Sequence, residues 1–89
     1  MDLNIKECIA LYAIGSYGTN NIGIQPLHRR LTNRFLKNNI NSSEVVKTLE
    51  HLISKELINN KNHYSLEPKG QFLFDKYQLE WFEKFWKYR

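Results

Sequence analysis

Residues 43–58 read SEVVKTLEHLISKELI, and this stretch decides the fold. Apolar side chains recur in it every three or four residues, which is typical of a helix that buries one side. The residues predicted to face inward are Val45, Val46, Leu49, Leu52, Ile53 and Leu57. The opposite face carries Ser43, Glu44, Lys47, Thr48, His51, Ser54 and Lys55. The pattern predicts a helix over 42–56 whose outer side is free to touch a partner.

Two helices and a short strand are predicted before this segment. Broad apolar patterning indicates a deeply buried helix over 3–15, which Gly15 is expected to end. Pro26 is suited to the first turn of a helix, so a second, amphipathic helix is predicted over 26–37. Residues 22–24 are apolar apart from one glycine and are predicted as a short strand between the two helices.

A hairpin and a long last helix are predicted after it. Two short β-compatible runs within 57–66 are joined by the polar residues 60–62, which favours a hairpin. Pro68 then opens a helix that we expect to run over 68–88. At the other end of the central segment, Glu44 follows Asn41 by three residues, a spacing that indicates a capping box.

Length and composition favour one globular domain over 1–89. Of the 89 residues, 42% are hydrophobic and 25% are charged, close to the averages for folded domains. The predicted fold class is mainly α with a small β-hairpin. Cys8 is the only cysteine, which suits a reducing compartment, and a cytoplasmic location is expected. The apolar run at 8–14 is too short to span a membrane, so no membrane association is expected.

Positive charge is concentrated in one part of the chain. The formal net charge is +4, and no acidic residue lies between Cys8 and Ser43, where four basic residues fall. From Glu44 to Arg89, eight basic residues nearly cancel seven acidic ones. A confined basic region is typical of a surface that binds a polyanion, although a solvated helix face explains the charge equally well.

Residues 43–58 and 64–70 carry a resemblance to a known superfamily. The first run resembles the recognition helix and following strand of MarR-like and PadR-like regulators. The second, YSLEPKG, matches the exit from their wing. The resemblance covers about 22–77 and implies a winged helix-turn-helix with a long C-terminal helix. The chain departs from the pattern at Glu56, where those families commonly have glycine, and its wing is short and lacks arginine.

The resemblance implies that the outer face of the helix at 42–56 contacts double-stranded DNA, because an α-helix fits the major groove. The residues expected to contact DNA from this helix are Ser43, Lys47, Thr48, His51 and Lys55. In the second helix, Arg29, Arg30, Asn33 and Lys37 are expected along the phosphate backbone. Lys61 and His63 in the wing are expected to add phosphate contacts, or else form a solvated turn. Arg34 is expected to pair within the fold, and Glu44 either caps its helix or accepts a hydrogen bond from a cytosine amino group.

Aromatic residues dominate the last helix. Eight of the twelve aromatic residues lie between Phe72 and Tyr88, on two nearly opposite stripes. The first stripe consists of Phe72, Leu79 and Trp86, with Phe82 nearby. Only one of the two stripes can pack against the first helix. The other is expected to form a homodimer interface, which we assign to Phe74, Tyr77, Trp81, Phe85 and Tyr88. The alternative is that this helix packs only against its own domain.

The sequence holds no pattern that indicates an enzyme, a cofactor or a metal site. His28, His51 and His63 are far apart, Cys8 is remote from them, and the glycines are scattered. We therefore expect no catalysis, no bound cofactor or metal, and no small-molecule ligand. The expected function is sequence-specific DNA binding by a small transcriptional regulator. Two alternatives stay open: a DNA-binding accessory protein of a plasmid, phage or other mobile element, and a protein-interaction module.

Overall fold

A computed structural model describes residues 3–17, 24–61 and 63–87. It contains α1 (Ile5–Tyr17), α2 (Ile24–Lys37), α3 (Glu44–Ser54), β1 (Ile58–Asn59), β2 (Ser65–Leu66) and α4 (Pro68–Trp81), which continues into a π-helical segment (Phe82–Trp86). The expectation of a mainly helical chain with a small antiparallel hairpin and a C-terminal helix is confirmed.

The central element is α1, which packs against α2, α3, α4 and β2. Its side chains are buried almost all round, as the unbroken run of buried residues from Glu7 to Leu11 shows. Asn4 and Glu7 form a capping box at its start: the Asn4 side chain accepts from the Glu7 N–H at 2.9 Å, and Glu7 accepts from the Asn4 N–H at 3.1 Å. The capping box therefore pairs the backbone N–H groups of Asn4 and Glu7, although the Glu7 carboxylate lies in the core.

Gly15 does not end α1, contrary to the sequence prediction, since the helix continues to Tyr17. A Cβ added at Gly15 would lie 2.7 Å from Cγ of Phe74, so the glycine makes room for an aromatic ring of α4. Its role is close helix packing rather than helix termination. The predicted strand at 22–24 is wrong at Ile24, which begins α2, while residues 22 and 23 lie outside the described ranges.

The turns after α2 and α3 have the same backbone geometry. Asn39 and Glu56 both have a φ of 61°, in the left-handed region. After α3, the Glu56 N–H donates to Ile53 O at 2.9 Å and the Leu57 N–H donates to Leu52 O at 3.0 Å, which together form a Schellman motif. This is how α3 is capped without the glycine that the resemblance leads one to expect at Glu56.

Replacing Glu56 with glycine is expected to stabilise the protein by about 1 kcal/mol. A residue with a Cβ is strained in the left-handed region, and a carboxylate at a helix C-terminus opposes the helix dipole. Urea denaturation measures the change. Asn39→Gly is the matched control, with an expected gain of only a few tenths of a kcal/mol, because asparagine tolerates this conformation. A loss of stability in Glu56→Gly would contradict the assignment.

The hairpin pairs Ile58 with Leu66 and Asn59 with Ser65 in antiparallel register. It runs from Ile58 to Leu66, one residue inside the predicted span of 57–66, and Asn62 lies outside the described ranges. The Glu67 N–H donates to Leu57 O at 2.9 Å, so the hairpin leads directly into α4, with Pro68 at its first position.

The π-helical segment changes which residues of the C-terminal helix face the core. The Lys87 N–H donates to Phe82 O at 2.9 Å, five residues back, which adds one residue to the turn. In an uninterrupted α-helix Trp86 would lie on the side of Leu79, away from Trp81. The wider turn brings Trp86 to the same side as Trp81, and both indoles are buried.

Arg34 of α2 and Asn38 of the turn after it hold this segment in place. Arg34 donates from Nη1 to Trp86 O at 3.0 Å, and its guanidinium lies 4.5 Å from the Trp86 ring centroid. Asn38 donates from Nδ2 to Phe85 O at 3.1 Å. The prediction that Arg34 pairs within the fold is confirmed, and its charge is used to bind the end of the last helix.

Candidate functional site

The outer face of α3 is an exposed stripe. We define the α3 face as the exposed residues Ser43, Val46, Lys47, Glu50, His51 and Ser54, which recur every three or four positions. The Lys47 side chain is 69% exposed, and the described parts of the chain leave His51 uncovered as well. Three of the side chains that were predicted to contact DNA, Ser43, Lys47 and His51, are therefore accessible.

Val46 is exposed and Thr48 is buried, the reverse of what the sequence predicted. Thr48 is buried and its hydroxyl donates to Glu44 O at 2.7 Å, so its prediction as a DNA contact is wrong. Val45, Leu49 and Leu52 fix the direction of the buried stripe, and position 48 falls inside it. The bond to the preceding turn satisfies the threonine hydroxyl, which makes its burial acceptable.

Lys55 is also not a free surface cation. Its Nζ lies 2.7 Å from Glu7 Oε2. The Glu7 side chain is only 3% exposed and the Lys55 side chain 41%, so the pair reaches from the core to the surface. The prediction that Lys55 lies along a phosphate backbone did not anticipate this partner, because Glu7 is remote in sequence.

Glu44 at the start of α3 does not form the predicted capping box. Its carboxylate accepts from Lys6 Nζ at 2.8 Å, with Lys47 Nζ at 3.7 Å. The hydrogen bond from Lys6 is the main reason that the pKa of Glu44 is lowered. Asn41 instead accepts from the Ser43 N–H at 2.8 Å. Lys6 therefore lies beside the N-terminus of α3, a placement that only the tertiary fold creates.

The outward side of α2 keeps its predicted basic character. Its exposed polar residues are Arg29, Arg30, Asn33 and Lys37. The Arg30 guanidinium lies 4.1 Å from the ring centroid of Tyr17, so it is partly held against α1. Arg29 and Lys37 are exposed at the two ends of this side, which places positive charge along most of the helix.

Tyr64 of the hairpin links α2 with the α3 face. Its ring centroid lies 6.1 Å from that of His28 in α2. Burial raises the pKa of Tyr64, and the negative charge of Glu50 in α3 raises it further. The hairpin therefore lies next to both helices. Lys61 is exposed near its turn, whereas His63 is half-buried.

The predicted dimer interface is wrong at Phe74 and Trp81, which are not accessible to a second copy. Phe74 and Trp81 are buried in the core of the chain itself, and Tyr77 and Phe85 pack against that core. Tyr88 lies outside the described residues. Gly15 of α1 makes room for the Phe74 ring on this side.

The exposed stripe of the last helix is the opposite one. Phe72 is 65% exposed and Leu79 is 78% exposed, with Phe82 at its edge. The sequence placed Trp86 in this stripe, but the π-helical segment turns its side chain into the core. We call Phe72, Leu79 and Phe82 the α4 stripe.

Cys8 lies in the core and is only 5% exposed. Burial raises the pKa of the Cys8 thiol to about 11, so it stays protonated and unreactive near neutral pH. Within the described ranges, no three histidine, cysteine or carboxylate side chains meet in a group that could hold a metal ion. Over the same ranges, no helix has both the length and the apolar character needed to cross a bilayer.

No protein-family model, curated protein or solved structure matches this chain. The sequence predicted the exposure of Lys47, His51 and the basic side of α2, and it did not predict the exposure of Val46 and Glu50 or the position of Lys6 beside α3. Val46 was predicted to be buried because it is apolar. The position of Lys6 could not be predicted because it lies far from α3 in sequence.

Proposed function

We propose that this chain is a winged helix-turn-helix domain that binds double-stranded DNA in a sequence-specific manner, as a small transcriptional regulator does. The observation that carries the proposal is the accessible α3 face with Lys47 and His51, next to a helix whose outward side is basic. The order helix, turn, helix, hairpin, helix supports it, with α3 as the recognition helix and the hairpin as the wing.

In this arrangement α3 enters the major groove and α2 lies across the sugar-phosphate backbone. Lys47 donates to guanine acceptors, and Ser43 and His51 contact neighbouring bases or phosphates. Arg29 and Lys37 bind phosphates, which gives affinity without sequence choice. Lys61 extends the backbone contacts from the wing. Lys55 and Thr48 have internal partners and take no part.

Lys47→Ala is expected to weaken binding to a selected duplex by about 10-fold to 100-fold, the range for losing one good base contact. Fluorescence anisotropy of a labelled duplex, drawn by selection from a random library, measures the affinity. Arg29→Ala is expected to weaken binding evenly across sequences and to reduce the salt slope by about 1. Both residues are exposed, so the unfolding free energy should stay within about 0.5 kcal/mol of the parent.

Lys84→Ala, at an exposed lysine of the π-helical segment, is the matched control and should leave the affinity unchanged. Absence of binding to any duplex at low salt would overturn the proposal. So would a Lys47→Ala variant with unaltered affinity for the selected site.

We further propose that two copies pair through the α4 stripe. Three large apolar side chains on one exposed helix face form a patch of the kind that marks an interface. An antiparallel second copy would bring Lys76, beside Phe72, toward Glu83 of the partner, beyond Leu79. This pairing has two-fold symmetry, which would set two recognition helices side by side for a palindromic site.

Leu79→Glu is expected to convert a dimer into a monomer, because it places a charge at the centre of the α4 stripe. Light scattering coupled to size exclusion gives the mass. Leu36→Glu changes another exposed leucine, on α2, and should leave the dimer intact. A parent protein that is monomeric at tens of micromolar would end the dimer proposal and leave the DNA proposal standing.

A further inference from the structure

Val46 is the one apolar member of the α3 face. It is 54% exposed, whereas Val45 beside it is 3% exposed. A single exposed apolar side chain on a protein surface is common and carries no meaning alone. Val46 is of interest because it lies among the polar residues that the proposed function assigns to base contact.

Val46 is the third residue of α3, next to Lys47 and one turn before Glu50. The N-terminal part of a recognition helix comes closest to the base edges. Valine is stiff because branching at Cβ leaves it few rotamers, so its two methyl groups present a fixed apolar surface. It lacks a donor and an acceptor, and it cannot pair with the polar edge of a purine or cytosine.

The major groove offers one apolar group on the base edges, the C5-methyl of thymine. We propose that Val46 is a specificity-determining residue that packs against a thymine methyl in the bound site. This inference rests on the proposed DNA binding. Opposite a cytosine, the same side chain would cover an amino group without accepting from it, which disfavours the wrong base.

Val46 can take this role without a cost to folding, because the core contacts of α3 come from its other side. Val45, Leu49 and Leu52 hold the helix to the core, so Val46 is not needed there. Alanine at position 46 should therefore leave the fold intact, and its higher helix propensity should slightly favour α3. A change in DNA recognition by this variant would then report on the lost methyl groups rather than on unfolding.

The test removes one methyl group at a time from the DNA. Each thymine of a selected duplex is replaced in turn by deoxyuridine, which lacks only the C5-methyl. The parent protein is expected to lose about fourfold in affinity at one position, the value of one buried methyl group. In Val46→Ala the penalty at that position should fall below about twofold, as expected when most of the apolar contact is absent.

Leu36→Ala is the matched control, since Leu36 is an equally exposed aliphatic residue on α2. It should show the full deoxyuridine penalty. If the parent binds duplex DNA but tolerates deoxyuridine at every position, the inference about Val46 is overturned and the proposed function stands. An equal penalty in the parent and Val46→Ala also overturns it. If no duplex is bound, the proposed function itself fails.

Discussion

Gly70→Ala is expected to lower the free energy of unfolding by about 3 kcal/mol, at the upper end of the cost of overpacking. A Cβ at Gly70 would collide with the carbonyl oxygen of Leu57 and lie 3.0 Å from its carbonyl carbon. The opposing group is backbone and cannot rotate away. Leu57 is held at both ends, since its N–H donates to Leu52 O and its carbonyl accepts from Glu67. The gain from replacing glycine within a helix, up to about 1 kcal/mol, is too small to offset the collision.

Urea denaturation followed by circular dichroism measures this loss. Lys69→Ala changes the neighbouring exposed residue and should stay within about 0.5 kcal/mol of the parent. We therefore expect Gly70 to be required for the first turn of α4 to approach the Leu57 backbone, between α3 and β1. A Gly70→Ala protein as stable as the parent would show that α4 can shift away from Leu57.

Lys55→Met is expected to cost about 3 kcal/mol, the lower end of the range for breaking a buried ion pair. The substitution leaves the Glu7 carboxylate in the core with the Asn4 N–H as its remaining hydrogen-bond donor at 3.1 Å. The lower end applies because Lys55 is partly exposed, so water can reach one side of the site. The methionine keeps the length of the lysine stem and its packing.

A second substitution tests this explanation. Glu7→Gln combined with Lys55→Met removes the uncompensated charge and should recover most of the lost stability. Lys84→Met breaks the exposed pair with Glu80, whose atoms lie 3.3 Å apart, and should cost at most about 0.5 kcal/mol. If Lys55→Met proves no more costly than Lys84→Met, the buried pair does not stabilise the fold.

The arrangement of helices and hairpin was largely predictable because their periodic patterns are long and local. The stripe set by Leu49 and Leu52 and the proline at the start of α4 are signals that tertiary contacts did not override. Errors arose at the start of α2, where Ile24 was predicted in a strand, in the choice of the buried stripe of the last helix, and at positions 46 and 48. The places of Val46 and Thr48 depend on how far α3 is rotated against α1, and hydrophobicity alone does not determine that rotation.

The candidate site was harder to predict because it depends on pairs that are distant in sequence. The charge of Lys55 is cancelled by Glu7, and Lys6 lies beside Glu44 only after α1 and α3 have packed. The buried position of Trp86 depends on one inserted residue in a helical turn, which periodicity at a fixed 3.6 residues does not detect. Charge and periodicity therefore predicted which helix sides are basic or exposed. Which of their side chains are accessible depends on tertiary packing.

The connection between α2 and α3 has little freedom left. Between Asn38 and Val45, the backbone N–H groups of Asn38, Asn39, Ile40, Ser43, Glu44 and Val45 are all hydrogen-bonded within the chain. These bonds tie each half of the connection to its own helix, and both helices pack against α1, so we expect the pair to keep one crossing angle. Any polymer that touches both helices meets a preformed shape, and its binding loses little conformational entropy on the protein side.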